Sequence, residues 1–457
     1  MSNTYIPPKP STQKKRFLAR ILTGAKACYL SNFIDKSYSM KMGQIWAPGR
    51  NIFMPNTHEL IRKIMVTDSV DYPKSDILDK ILVLLIGNGL FVANGDEWKR
   101  QRRIIDPAFA HAKLKRVFPA MWSAVSDLLD RMDKRKDGEI LAVDDEMTHI
   151  TADVIFRTMF SVKLEQGDSQ KLFQAFSDFQ NPAFSIGFVQ ALGLPNPFFI
   201  KSYKARKAAK TIRALIEPFA RDRYERHHRG EELETDDILT TLVKSVDPET
   251  GEYFSIEELI NQTAFLFLAG HETSSSALSW TLFLIAQVPD VQERIFNEVT
   301  EVLGDRAPVY DDIRNLKFVR NVFQETLRLY PPVGFLPREA SKCTHMRGKE
   351  VKPGDMMVVS PWLMHRNPNY WDNPDGFDPD RYDDGACKES LRNAYFPFSL
   401  GPRICTGTGF AKQEAMIVLS SLIRNYRFEA VPEHVPVPIG RLTVCSENGI
   451  RLRVFRR

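Results

Sequence analysis

Residues 396–411 read Phe396-Pro-Phe398-Ser-Leu-Gly401-Pro-Arg403-Ile-Cys405-Thr-Gly407-Thr-Gly409-Phe410-Ala411. A loop rich in Gly and Pro presents one cysteine, and an apolar helical pattern from Phe410 to Leu422 follows at once. Backbone N–H groups at that helix start, with the positive end of the helix dipole, favour a thiolate. Gly401 and Gly407 permit backbone turns and close approach to a flat ligand. Arg403, two residues from the cysteine, can pair with an anionic group on that ligand. A lone cysteine is by default an inert buried one. The spacing F-x-x-G-x-R-x-C-x-G sets this one apart.

Upstream, Ser255 and Glu258 form an S-x-x-E capping box, and the apolar pattern then runs without proline to Pro289. That is roughly 33 residues, or about 50 Å of helix at 1.5 Å per residue. Phe265, Leu266, Phe267 and Leu268 occupy every face, so this helix is predicted to be buried nearly all round. Its centre nevertheless reads Ala269-Gly270-His271-Glu272-Thr273-Ser274, a polar patch inside an apolar rod. A buried carboxylate costs several kcal/mol unless it is paired or wetted. The segment by itself fits both a satisfied internal hydrogen-bond knot and a functional group. Gly270 costs the helix ~1 kcal/mol relative to Ala, which marks a place for a local opening of the backbone.

The whole chain has 457 residues, 43% hydrophobic and 26% charged, an ordinary globular composition. Its 62 Lys and Arg against 57 Asp and Glu give a net charge of +5, too small to indicate nucleic acid. A basic patch for an acidic protein partner remains compatible with it. Five scattered cysteines with no C-x-x-C pair disfavour a disulfide framework and a thiolate zinc site, and point to a reducing compartment. The basic N-terminal stretch does not read as an export signal, because Arg20 breaks its apolar run. No run of 18 apolar residues exists; the nearest, Thr263 to Val288, carries His271 and Glu272, so a buried helix is predicted there and not a membrane span.

Strands are predicted near Met42 to Met54 either side of a Pro48-Gly49 turn, at Asp355 to Ser360, and at Arg451 to Phe455. No repeat and no Gly/Ser linker divides the chain. The expected architecture is mainly α with small β-sheets, an α+β arrangement: a lead segment over residues 1–40 and one catalytic domain over 41–457.

These motifs together resemble the cytochrome P-450 family, the haem-thiolate monooxygenases, over almost the whole chain from about Met42. Phe398, Gly401, Arg403, Cys405 and Gly407 match the family's haem-binding loop, which makes Cys405 the proximal iron ligand. Glu325-Thr-Leu-Arg328 is the family's E-x-x-R, and Phe377-Asp-Pro-Asp-Arg381-Tyr matches the segment whose arginine joins that pair. Their implied role is structural. Trp98 and Arg102, at i,i+4, match a helix face that contacts a haem propionate; Arg338 sits where another propionate-binding arginine often lies. Glu272 and Thr273 match the acid–alcohol pair on the helix that crosses above the haem, with the cysteine loop beneath it.

Splitting O₂ requires two protons delivered in a site otherwise kept dry. By this resemblance Thr273 holds an ordered water, Glu272 recharges the relay from solvent, and Gly270 leaves space for O₂. Relatives with a covalent haem ester carry Glu where this chain has Ala269, so non-covalent haem b is implied. Dedicated peroxygenases have lost the acid–alcohol pair, so its presence speaks against a peroxygenase or isomerase. It also speaks against a non-catalytic haem sensor.

Two apolar segments, Ile77 to Leu90 and Phe173 to Phe199, are implied to line the substrate cavity, and an apolar substrate is expected. The chain ends soon after the haem region, so electrons are expected from a separate ferredoxin- or flavodoxin-type donor with its reductase. Lys99, Arg100, Arg103 and Lys412 are candidates for a basic docking patch. The resemblance is to the soluble bacterial members, with a cytoplasmic location, no membrane span, no nucleic acid and a monomer as the expected state.

Overall fold

The structure, a computed structural model, describes residues 4–10, 28–47, 49–165, 167–168, 171–172, 174–176, 178–179 and 203–457, the side chains of 78–81 and 384 aside. Among the described residues the α-helices of seven or more residues are α1 (Asp76–Ile86), α2 (Gly95–Ile105), α3 (His111–Met132), α4 (Val143–Phe160), α5 (Tyr203–His228), α6 (Ile238–Lys244), α7 (Ile256–Gln287), α8 (Pro289–Leu303), α9 (Lys317–Leu329), α10 (Lys388–Ala394) and α11 (Thr408–Asn425). The strands are β1 (Met42–Ala47), β2 (Arg50–Pro55), β3 (Glu139–Ala142), β4 (Leu336–Glu339), β5 (Thr344–Met346), β6 (Lys349–Val351), β7 (Met356–Val359), β8 (Tyr426–Ala430), β9 (Pro438–Gly440), β10 (Val444–Ser446) and β11 (Arg451–Arg456). Among the described residues they form four small sheets, ordered β1-β2-β7-β4, β3-β11-β8, β5-β6 and β9-β10. The mainly helical α+β expectation holds, and the three predicted strand regions correspond to β1–β2, β7 and β11.

Helix α7 is the axis of the core. Its predicted capping box is present: Ser255 Oγ accepts from the Glu258 N–H at 3.3 Å, and Glu258 Oε2 accepts from the Ser255 N–H at 2.8 Å. Along its length it packs on α4 and α5, and also on α1, α9 and α11, so most of its circumference is buried. The local opening anticipated at Gly270 does not occur; the helix is continuous there. A Cβ on Gly270 would sit 2.7 Å from Ile155 Cδ1. The glycine therefore lets α4 approach α7, and the packing gained replaces the local loosening that propensity alone suggested.

The E-x-x-R pair is an interior anchor. Arg328 Nε and Nη2 each donate to the Glu325 carboxylate at 2.8 Å, and both side chains are fully buried. The remaining guanidinium protons go to the carbonyls of His365, Pro374 and Gly376. Glu325 also accepts from Arg381 Nε at 2.9 Å, from the Asp378 N–H at 3.0 Å and from the Tyr382 hydroxyl at 3.0 Å. Burial pushes the Glu325 pKa up, but Arg328, Arg381 and the Asp378 N–H outweigh it and hold it below the usual carboxylate range. All five guanidinium protons are used, so α9 is tied to the irregular segment 365–382 leading to the cysteine loop.

Glu325→Ala leaves Arg328 buried and uncompensated and is expected to cost about 3–5 kcal/mol, read from chemical unfolding. With a depressed folded pKa, the contribution of Glu325 is full above its unfolded pKa and is lost as pH falls through the folded value.

Candidate functional site

Between α7 and the cysteine loop lies a cavity of about 300 Å³. Its walls come from α7, residues 397–411, α2, β4 and the turn joining β9 to β10. Every site residue nominated from the sequence faces it: Trp98 and Arg102 on α2, Glu272 and Thr273 on α7, Arg338 on β4, and Phe398, Arg403, Cys405 and Gly407 on the loop. Of the two apolar segments expected to line it, the first contributes Leu82, Ile86 and Leu90. Leu85 is instead packed in the core and Val83 faces outward. The second segment lies almost wholly outside the described residues.

The loop holds its shape without regular structure. The Cys405 N–H donates to the Phe398 carbonyl at 2.9 Å. Gly401 has φ +68°, and a Cβ there would stand 2.1 Å from the Met65 carbonyl oxygen. It is thus needed for contact with the protein itself and not, as anticipated, for approach to a ligand. Gly407 has φ −81° and a Cβ there would meet Cys405 Sγ at 3.9 Å, an ordinary contact. What its missing side chain leaves open is cavity.

Cys405 has accessible surface, yet that surface is cavity wall deep in the molecule. Burial pushes its thiol pKa up, opposed by the Gly407 N–H, the Thr408 hydroxyl and the charges of Arg102 and Lys74. One helix-start N–H, that of Gly407, acts in the predicted direction, but burial outweighs it and the thiol pKa lies above its ordinary value.

Cations converge on the same wall. Arg338 is buried, and its described hydrogen bond goes to the Pro337 carbonyl at 2.9 Å. Arg403 donates to the Ala93 carbonyl at 2.8 Å and Asn94 Oδ1 at 2.9 Å, with its guanidinium 4.1 Å from the Trp98 ring centroid. Arg102 brings its own counter-charge, bonding Asp106 at 2.7 Å, and it also donates to the Ile404 carbonyl at 2.7 Å. Lys74 was not legible in the sequence. An isolated bridge sets its backbone beside Arg338, and its Nζ bonds the Phe91 carbonyl. Burial lowers the pKa of Arg338 to about 10. Burial, then Arg338 and Arg102, lowers that of Arg403 to about 9. Lys74 is held well below its ordinary value by burial and then by Arg338 and Arg403. Buried and half-buried cations crowded around Arg338 that bond neutral oxygens call for an anionic ligand.

Residues 29–453 match the family model described as Cytochrome P450. The chain belongs to the cytochrome P450 family.

It is 32% identical over 413 residues to Cytochrome P450 CYP72A616 of Paris polyphylla, covering 87% of this chain and 78% of the relative. It is 30% identical over 434 residues to the 7-deoxyloganic acid hydroxylase of Catharanthus roseus, covering 91% and 81%. To the cyclooctat-9-en-7-ol 5-monooxygenase of Streptomyces melanosporofaciens it is 28% identical over 379 residues, covering 82% and 79%. Plant and bacterial enzymes both stand among these relatives, which gives no support to the bacterial-type expectation. No helix of the described residues is long and apolar enough to cross a membrane.

A cytochrome P450 carries non-covalent haem b with an axial cysteine thiolate. The residues present fit that group. A thiol faces the cavity, and the cations beside it match a ligand with two carboxylates. On the opposite wall, Thr273 Oγ1 donates to the Ala269 carbonyl at 2.6 Å, and Glu272 Oε1 accepts from Thr443 Oγ1 at 2.6 Å. Thr443 gave no signal in the sequence, lying 171 residues from its partner. Gly270 lines the cavity, but its missing Cβ would point at Ile155, so room for O₂ is not the reason a glycine is needed there. His271 turns away from the pair and stacks on Phe176 and Phe267; burial lowers its pKa to about 4, which keeps it neutral. Glu414 on α11 was also missed. Burial beside Ser274 raises its pKa to about 8, so the helix behind the cysteine carries a largely neutral acid at pH 7.

The anticipated docking patch is smaller than expected. Arg100 pairs with Glu258 at 2.6 Å, Arg103 with Asp247 at 2.6 Å, and Lys99 with Asp96 at 2.8 Å. Lys412 stays exposed, its Nζ 5.6 Å from the Phe398 ring centroid.

Replacing Arg338 by Met removes one buried, mutually repelling cation. Haem-free Arg338→Met is expected to resist urea at least as well as wild type, while haem transfer to apomyoglobin becomes about tenfold faster or more. Slower or unchanged haem loss contradicts the assignment.

Proposed function

We propose that this cytochrome P450 inserts one oxygen atom of O₂ into a C–H bond of an apolar substrate, taking electrons from a separate ferredoxin- or flavodoxin-type donor and its reductase. One observation carries the reading: a single apolar cavity has a cysteine thiol on one wall and an acid–alcohol pair on the other. When bound, haem supplies the activation of O₂ and the transfer of one of its oxygen atoms. The chain supplies the rest.

Cys405 would supply the thiolate to the iron, and Arg338, Arg403, Lys74, Arg102 and Trp98 would hold the carboxylates of the haem. Leu82, Ile86, Leu90, Phe265 and Leu442 exclude water and favour an apolar guest. Thr273 and Glu272 move protons from solvent to the cavity. The names of two relatives, a hydroxylase and a monooxygenase, favour hydroxylation over isomerisation. For the electron donor, Lys412 is exposed beside the cysteine loop, with the cation Arg320 near it. A positive face at that point suits an acidic partner.

The direct test is optical. Reduced, CO-treated protein is expected to show the red-shifted Soret band of thiolate ligation, and Cys405→Ser to lose it; wild type without the band refutes the reading. Titration with a panel of apolar compounds is expected to identify ligands that change the iron spin state. Thr273→Ala is expected to divert reductant to hydrogen peroxide in O₂-driven turnover while leaving H₂O₂-driven turnover intact. Lys412→Glu is expected to raise the KM for an acidic electron donor about tenfold at low salt, the difference shrinking as salt is added.

A further inference from the structure

We infer that Thr443 is a positioning residue for proton delivery. Its hydroxyl sets where the Glu272 carboxylate rests, and Leu442 beside it makes that contact responsive to what fills the cavity. The inference deepens the monooxygenase reading and rests on it.

The contact is short and sheltered. Thr443 Oγ1 donates to Glu272 Oε1 at 2.6 Å, a length typical of a charge-assisted O–H···O⁻ bond. Thr443 is 3% exposed, and both residues line the cavity. The turn that carries Thr443 is held on two sides. Val444, the next residue, accepts from Ser276 Oγ and donates its N–H to the Pro332 carbonyl at 2.8 Å. Ser276 lies four residues beyond Glu272, so α7 grips the hairpin at two points on one face. On the far side the Tyr29 N–H donates to the Gly440 carbonyl at 3.3 Å, and a Cβ on Gly440 would meet the Tyr29 ring at 2.5 Å. The Arg441 N–H closes the turn on the Thr443 carbonyl at 2.9 Å.

Leu442, enclosed by that bond between Arg441 and Thr443, faces the cavity. A guest pressing on Leu442 therefore acts on the residue next to the Glu272 donor.

The chemistry assigns a direction. A hydroxyl that donates to Glu272 favours its ionised form. A carboxylate held as an acceptor has no proton to give. Delivery requires it to take one from solvent and to turn an oxygen toward the cavity, and Thr443 defines the position from which that turn starts. Without the hydroxyl the carboxylate is left partly unsatisfied beside an apolar wall and misplaced.

The test uses haem-loaded enzyme and a spin-state ligand from the compound panel, with Thr443→Val, Thr443→Ser, Glu272→Gln and the Thr443→Val/Glu272→Gln double variant. Thr443→Val is expected to lower product formed per reductant consumed about tenfold and to enlarge the solvent isotope effect. Thr443→Ser should restore wild-type behaviour, and Thr443→Val should cost nothing further in the Glu272→Gln background.

A readout independent of turnover is the infrared band of the Glu272 carboxylate, assigned by difference against Glu272→Gln. It should shift in Thr443→Val, and on ligand binding in wild type only. An unmoved band, or additive losses in the double variant, overturns the inference. Should Thr443→Val fail to fold, Thr443→Ala takes its place under the same criteria. Wild type that lacks the thiolate band with CO, or oxidises nothing, fails the monooxygenase reading instead, and the infrared comparison still decides the contact.

Discussion

The hydrogen bond from the Cys405 N–H to the Phe398 carbonyl, at 2.9 Å, closes the loop on which the site depends. A segment without helix or strand has to hold one sulfur at a fixed point on the cavity wall. Gly401 makes this feasible by taking a positive φ directly over the Met65 carbonyl, where any side chain would collide. At the other end of the loop α11 begins, and the N–H of its cap residue Gly407 is offered to the sulfur. Behind it, Arg328 spends every proton on Glu325 and on carbonyls of the preceding segment. The loop is rigid because what surrounds it is satisfied, not because it is regular.

The cavity itself is left unsatisfied, and that is where function resides. Arg338 is buried, Lys74 and Arg403 are half-buried, the pKa of Lys74 and of Arg403 is lowered by Arg338 among others, and all three bond neutral oxygens. Folding alone gives no reason to collect like charges in this way. An anionic prosthetic group offsets the cost, so part of the stability of the loaded protein is binding energy. The opposite wall is balanced differently. Glu272 is met by a hydroxyl from a hairpin that also touches the cavity, so its charge is stabilised by a neutral donor that a modest displacement can withdraw.

Recognition of the site residues required only local patterns. The cysteine loop, the capping box and the Glu272-Thr273 pair each lie within one short stretch, because turns, caps and helix faces are decided by residues a few positions apart. The identity of the long helix and the three strand regions followed from the same short-range rules. Propensity misled at Gly270, where the cost to an isolated helix is outweighed by the close packing of Ile155. Charge counting misled at Arg100 and Arg103, whose acidic partners Glu258 and Asp247 come from more than 140 residues away.

Sequence alone therefore picked out side chains that the fold brings to one cavity: the thiol at Cys405, the acid and alcohol on α7, and Arg102, Arg338, Arg403 and Trp98. Tertiary structure alone decided which groups support them. Lys74 joins the cations through a bridge to Arg338, and Thr443 reaches Glu272 from a hairpin 171 residues downstream. The reason is physical. Covalent neighbours constrain a residue's own conformation, whereas the field and the hydrogen bonds it feels come from whatever folding brings within a few ångströms, and chain distance carries no record of that.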